Sequence, residues 1–357
     1  MRSYGGLHNR CPAMTFSAYY LTGEKIYLER FGLDFEDFTP GQRFRHRPGI
    51  TLSQQDNVID SLETMNGAQL HYDAAYAGQT AWKQPLMVST VTLQRAIGMT
   101  SKTFGRRSTI SAFAEIALTG PLFGGDTIYA ESEISAVDPY HQTVTVRTFA
   151  MKADNTPVGH FTWTAAIPRR GEGADPIGIA ALADPRFALY HTDSNGVMTE
   201  QTGLFFDDIC AGETFIHAPS RSFFTEDAVR HAWQSMEIAP AYHDLQFAER
   251  YRAGKLRVSE TLVISAVTAL TTRTFGRVVA NLGWNDVELP IPVEAGDTIY
   301  ATSTIQETRR SKSRPSEGII TVLTNAFNQN EQRVLSYRRN LLVYCRDADT
   351  PYVRASY

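Results

Sequence analysis

The hexapeptide Gly125-Asp-Thr-Ile-Tyr-Ala130 occurs twice in this chain, the second time unchanged as Gly296-Asp-Thr-Ile-Tyr-Ala301, 171 residues downstream. The same offset relates Gly32-Leu-Asp-Phe-Glu-Asp37 to Gly203-Leu-Phe-Phe-Asp-Asp208, and Gly41 to Gly212. It also relates Thr103-Phe-Gly-Arg106 to Thr274-Phe-Gly-Arg277, and Asp73 to Asp244. Several blocks in one register imply a tandem duplication, so whatever fold this chain adopts must be one that can be built twice. The spacing predicts a first domain over 32–167 and a second over 203–345. Residues 1–31 read as a loosely attached N-terminal arm, with Tyr19, Tyr20 and Leu21 docking on the body, and 346–357 as a C-terminal tail. Residues 168–202 are rich in Gly, Pro and Asp and read as a linker, interrupted by a short helix over 177–183.

Each copy follows one plan. A Gly-x-x-Phe-x-Asp block and a glycine turn come first, then helical material, then a longer helical run over 88–102 or 260–272. The second run is apolar nearly all round (Leu262, Val263, Ile264, Ala266, Val267, Ala269, Leu270), which predicts a helix buried on most sides. Three or four strands follow, rich in β-branched and aromatic residues: 127–137, 143–150 and 160–167, matched by 298–308, 318–325 and 334–344. Gly125-Asp126 and Gly296-Asp297 supply the turns that open them. One long helix followed by antiparallel strands predicts an α+β domain whose sheet curls around a central helix.

At 357 residues with 43% hydrophobic and 20% charged residues, the chain can fill two cores. Net charge is -4 and no basic block stands out, which argues against nucleic acid and anionic membrane as partners. No run of eighteen apolar residues predicts a membrane span. Gly5, Gly6, His8, Asn9 and Arg10 occupy the place where a signal peptide has its apolar core. Cys11, Cys210 and Cys345 are odd in number, far apart and without Cys-x-x-Cys spacing. These features predict a cytoplasmic protein with reduced thiols, no disulfide framework and no zinc site.

The densest chemistry lies in residues 65–77, Met-Asn-Gly-Ala-Gln-Leu-His-Tyr-Asp-Ala-Ala-Tyr-Ala, where Asn66, His71 and Asp73 fall within eight positions. The preceding segment predicts a helix, with Ser53 as cap and Val58, Ile59, Leu62 and Met65 as its apolar stripe. Gly67 breaks that helix and Asp73 can start another. Polar groups at such a break can face a cleft, although a lone histidine there is ordinarily a polar turn residue.

The opening block at 32–42, the run Leu70-His-Tyr-Asp-Ala-Ala-Tyr-Ala77 and the two Gly-Asp-Thr-Ile-Tyr-Ala blocks together resemble MaoC-like hydratases. Within that group the chain most resembles the mesaconyl-CoA hydratases, also called β-methylmalyl-CoA dehydratases. The resemblance implies a tandem double hotdog, two antiparallel sheets each wrapped round a central helix, with the two copies paired and the units forming a homodimer or higher oligomer. It implies reversible addition of water to a branched enoyl-CoA, with no metal and no cofactor beyond the CoA of the substrate. The family's Asp-x-Asn-Pro-x-His signature corresponds to Asn66-Gly-Ala-Gln-Leu-His71, so the histidine is kept and the aspartate is Asn66. The second copy has Glu237-Ile-Ala-Pro-Ala-Tyr242, with His243 one residue displaced, and reads as the degenerate half.

On this resemblance His71 is the general base, Asn66 orients it or the water, and Asp73 is either a proton source or the cap of the helix it precedes. A backbone N–H at the start of the central helix, Val88-Ser89-Thr90, stabilises the thioester oxyanion; Ser89 also reads as an N-cap. Arg95, Lys102, Arg106, Arg107, Arg273 and Arg277 are candidates for the anionic groups of the substrate, and Arg309 to Arg314 read as a solvated hairpin tip. A hotdog thioesterase and a non-catalytic acyl-thioester-binding protein are the rival readings.

Overall fold

The structure is a computed structural model and describes residues 16–172, 182 and 184–354. Cys11 and the helix expected over 177–183 lie outside the described residues. In chain order a hairpin of β1 (Tyr19–Gly23) and β2 (Ile26–Glu29) precedes β3 (Arg43–Thr51). Helices α1 (Gln54–Glu63), α2 (Ala74–Ala77), α3 (Ser89–Met99) and α4 (Ser101–Phe104) follow. Then come β4 (Thr109–Leu118), β5 (Thr127–Asp138), β6 (Thr143–Lys152) and β7 (Pro157–Ala166). The plan repeats: a hairpin of β8 (Tyr190–Thr192) and β9 (Val197–Glu200), then β10 (Thr214–Ile216) and β11 (Arg221–Ser222). Helices α5 (Thr225–Gln234), α6 (Leu245–Tyr251), α7 (Glu260–Leu270) and α8 (Thr272–Phe275) come next. Strands β12 (Val278–Glu288), β13 (Thr298–Arg310), β14 (Glu317–Phe327) and β15 (Arg333–Tyr344) complete the second copy. Among the described residues no helix is long and apolar enough to cross a membrane.

The chain divides into two compact units, and each is a hotdog. In the first, the sheet runs β4-β7-β6-β5-β3-β9-β8 and curls over α3, which packs on β3, β5, β6 and β7. In the second, the order is β12-β15-β14-β13-β10-β2-β1, with β11 also on β13, and α7 packs on β13. Phe44, Phe104 and Trp163 are fully buried in the first core, with the Phe104 and Trp163 rings edge-to-face at 5.2 Å. Val263, Val267, Ile299 and Tyr337 anchor the second. The repeated sequence blocks meet in space. Gly32 adopts φ +85, where a Cβ would stand 2.7 Å from the Arg106 nitrogen, and Leu33 N–H donates to the Thr103 carbonyl at 2.9 Å. Gly203 repeats this against Gly276, with Leu204 N–H donating to Thr274.

Three expectations differ from the structure. The arm and the linker each hold a β-hairpin, and the duplication therefore starts earlier than the sequence blocks suggest. Hairpin 19–29 belongs to the second unit, with β2 parallel to β10, and hairpin 190–200 to the first, with β9 parallel to β3. The segment ahead of each copy thus completes the sheet of the other. Second, α1 ends at Glu63; Ile59 and Leu62 of the expected stripe are exposed, as is Met65 beyond the helix, and α1 buries Asn57 and Ser61 instead. Its inward face is polar because it satisfies backbone groups, as described below. Third, α7 buries Val263, Ala266 and Val267 on one face only, while Ser265 and Ala269 are exposed.

What holds each hairpin in its sheet is a buried polar network. In the first unit His46 Nδ1 lies 2.9 Å from Glu200 Oε1 and its Nε2 lies 2.8 Å from Ser132 Oγ, with both side chains of the pair fully buried. The Thr103 hydroxyl donates to the same carboxylate oxygen at 2.7 Å, the Tyr190 hydroxyl meets Thr103 at 2.9 Å, and Arg47 N–H donates to Glu200 Oε2 at 3.0 Å. The second unit repeats each contact with His217, Glu29, Ser303, Thr274, Tyr19 and the Ala218 N–H. Burial works to raise the Glu200 carboxyl, but the facing His46, with Lys102 and Thr103, outweighs it and holds the group below the ordinary glutamate range. Glu29 is depressed in the same way by His217 and Arg273.

A depressed carboxyl contributes stability that is present above its unfolded pKa and is lost as pH falls through the folded value. Glu200→Ala should therefore cost about 3–5 kcal/mol at pH 7, the range for stripping one partner from a buried pair. It should also flatten the loss of stability on acidification below pH 5. Urea melts of both proteins at pH 7 and pH 4 check this; an unchanged acid limb would mean that the pair does not carry it.

Candidate active site

His71 ends a short 3-10 turn, Gln69–His71, and is half-buried. Its Nδ1 lies 2.7 Å from the Leu86 carbonyl oxygen. A carbonyl can only accept, so Nδ1 carries the proton and Nε2 presents a lone pair. No hydrogen bond from a described residue reaches that Nε2.

The residue that builds this corner is Asn57, fully buried on α1. Its Nδ2 donates to the His71 carbonyl at 2.7 Å and to the Leu86 carbonyl at 3.0 Å, and its Oδ1 accepts the Val88 N–H at 2.8 Å. Gln54 donates to the same His71 carbonyl at 2.7 Å. One amide thus ties the histidine segment, the carbonyl that orients its ring and the start of α3. Asn57 escaped the sequence reading because an asparagine inside a helix looks like a surface residue. The register of the repeats carries a signal, since the equivalent of Asn57 is Ala228.

At the start of α3 the expected donors separate. Val88 N–H is consumed by Asn57, and Val91 N–H by the Val88 carbonyl at 3.0 Å. The N–H groups of Ser89 and Thr90 have no acceptor among the described residues and point out of the helix at its positive end. Ser89 is the first helical residue and is exposed; Val88 takes the N-cap position without a side-chain bond, so Ser89 is not the cap.

The other candidates are placed as follows. Asn66 accepts the Ala68 N–H at 3.0 Å, closing its own turn, and no hydrogen bond joins it to His71. Asp73 caps α2, accepting the Tyr76 N–H at 3.0 Å, which is the capping alternative of its two readings. Arg106 lies against Asp34, Nε to Oδ1 3.2 Å, and donates to the Glu172 carbonyl at 2.9 Å, so its guanidinium holds the opening block of the first unit. Arg95 reaches Asp56 at 3.4 Å and remains partly exposed. Though no sequence spacing suggested a metal cluster, Asp207, Cys345 and Asp347 gather in space within 4.8 Å. The Arg310 guanidinium already donates to Cys345 Sγ at 2.7 Å and to Asp207.

The corresponding corner of the second unit has changed in kind. Tyr242 stands in register with His71, and its hydroxyl donates to Glu260 Oε2 at 2.6 Å. Glu260, in register with Ser89, puts a carboxylate on the first turn of α7. That bond, with burial, pushes the Tyr242 hydroxyl up to about 12. His243 Nε2 donates to the Ile238 carbonyl at 3.0 Å on an exposed turn. A helix start that already holds a carboxylate repels a second negative oxygen.

The family model described as mesaconyl-CoA hydratase matches residues 183–351. The mesaconyl-CoA hydratase of Cereibacter sphaeroides is 33% identical over 160 residues, 43% of this chain and 45% of that protein. The β-methylmalyl-CoA dehydratase of Chloroflexus aurantiacus is 27% identical over 150 residues, 42% of each. Among solved structures, the MaoC-like dehydratase of Rhodospirillum rubrum is 22% identical, covering 41% of this chain and all of that one, with a TM-score of 0.37. The matched segments span under half the length of these curated relatives. By sequence, this chain is similar to the mesaconyl-CoA hydratases and β-methylmalyl-CoA dehydratases, and the family match falls on its second repeat.

Proposed function

We propose that this chain is a hydro-lyase that adds water reversibly across the double bond of an enoyl-CoA, with the mesaconyl-CoA/β-methylmalyl-CoA pair, for which its relatives are named, as the substrate. The observation that carries the reading is the His71 Nδ1–Leu86 bond, tied through Asn57 to the start of α3. It supplies a base and a pair of N–H donors on one scaffold, which are the groups that hydration of a thioester-conjugated alkene requires.

In the reaction, Nε2 of His71 takes a proton from water as its oxygen bonds to the β-carbon. The π electrons move toward the thioester, whose oxygen becomes an enolate facing the Ser89 and Thr90 N–H groups. The proton on Nε2 then passes to the α-carbon, restoring neutral histidine and the thioester. One histidine can serve both transfers, so the reading does not require a carboxylate at Asn66. It calls on no metal or cofactor. Half-exposed Tyr72, Tyr76 and Trp82 flank the histidine segment and offer apolar surface to the CoA arm. The family likeness lies in the second repeat and the base in the first; the shared register makes both parts of one duplicated fold.

Loss of conjugated-thioester absorbance with a panel of enoyl-CoA esters is the direct assay. His71→Ala should lower kcat by roughly 10² to 10⁴-fold, as for loss of a positioned base, and His243→Ala should leave it near wild type. Asn57→Ala should lower kcat by about 10²-fold through misplacement of the ring and donors. Release of free thiol without hydration would make this a thioesterase instead, and normal turnover by His71→Ala would defeat the assignment of the base.

A further inference from the structure

The first unit contains a cavity of about 400 Å³ between β3 and the C-terminal half of α3. Arg47, Arg95 and Lys102 line it together with Gln94, Gly98 and Met99, and none of its lining residues is acidic. Two of the three cations, Arg47 and Lys102, are engaged by their surroundings. Arg47 donates to the His46 carbonyl at 2.9 Å and lies 4.7 Å over the Tyr129 ring. Lys102 acts electrostatically on the buried Glu200. Arg95 has only the long contact to Asp56, and its buried Nε lacks a hydrogen-bond partner among the described residues.

In the second copy the equivalents of Arg47 and Arg95 are Ala218 and Ala266. The third cation, Arg273, donates to the carbonyls of Arg30 and Ala218. The hotdog therefore forms without the arginines. They occur in the copy that carries His71 and Asn57, and are missing where those residues are Tyr242 and Ala228. A partly desolvated guanidinium with spare donor capacity is suited to a planar or tetrahedral oxyanion.

We propose that this cavity is a subsite for an oxyanion of the substrate: a carboxylate on the acyl chain or the 3′-phosphate of the CoA. Assigning the anion to the substrate rests on the enoyl-CoA reading; the anion site itself does not. From Ser89 to Arg95 the helix rises ~9 Å, and helical side chains lean toward the N-terminus, which brings the guanidinium back toward the thioester end.

Saturated esters cannot be hydrated, so calorimetric titration of the full chain with succinyl-CoA, butyryl-CoA and 3′-dephospho-butyryl-CoA reads binding alone. Arg95→Ala should weaken the ligand that carries the anion by about 10- to 100-fold, the loss expected for a charged hydrogen bond. Arg95→Lys should restore part of it. Weakening of succinyl-CoA alone identifies the carboxylate. Weakening of both intact CoA esters, with the dephospho ester spared, identifies the phosphate. A loss that is equal for all three esters, or below 2-fold for all, overturns the subsite. Free succinate and inorganic phosphate form a separate arm. If wild type binds either through Arg95 yet binds no ester, the anion site stands and the thioester reading falls; if it binds none of the five ligands, both fall.

Discussion

Each unit depends on a carboxylate that arrives from outside its own sequence repeat. Glu200 and Glu29 sit at the ends of hairpins that lie ahead of the copies they do not complete, and each meets a fully buried histidine, a threonine and a backbone N–H. A buried carboxylate without these partners would be strongly unfavourable, so the pair specifies where each hairpin docks and which strand it lies beside. The consequence is covalent as well as local. Neither repeat, cut at its sequence boundaries, contains a whole sheet.

With the framework fixed twice by the same network, the two copies have been free to differ at one corner. The first keeps Asn57, His71 and an uncharged Ser89, so it presents a lone pair and unfilled N–H groups. The second has Ala228, Tyr242 and Glu260, and fills its helix start with its own carboxylate. The difference extends to Arg47 and Arg95 against Ala218 and Ala266. These changes share a direction: the first copy is equipped to receive negative charge, and the second supplies it.

Much of this was legible in the residues. The 171-residue register, the strands after the central helix and the turn at Gly125-Asp126 follow from pattern and turn chemistry. His71 stood out for its position at a helix break. The hairpins were not legible, because they share only Phe16/Phe187, Tyr19/Tyr190 and Glu29/Glu200 in register, and short strands beside Gly and Asp read as linker. Nor was the inward face of α1. Ile59 and Leu62, with Met65 just past its end, gave a helical stripe, yet the buried face is Asn57 and Ser61, because two carbonyls and an N–H needed partners there. Helical periodicity reports hydrophobicity and says little about which face satisfies a backbone.

On the hydro-lyase activity proposed above, the thioester is activated at the start of α3 and not at the start of α7. A crystal structure with butyryl-CoA bound tests it most directly, since that ester has no double bond to hydrate. The account predicts the thioester oxygen within hydrogen-bond reach of the Ser89 and Thr90 N–H groups, with the β-carbon facing Nε2 of His71. A thioester seated instead against Tyr242 and Glu260, with the first corner empty, would contradict it.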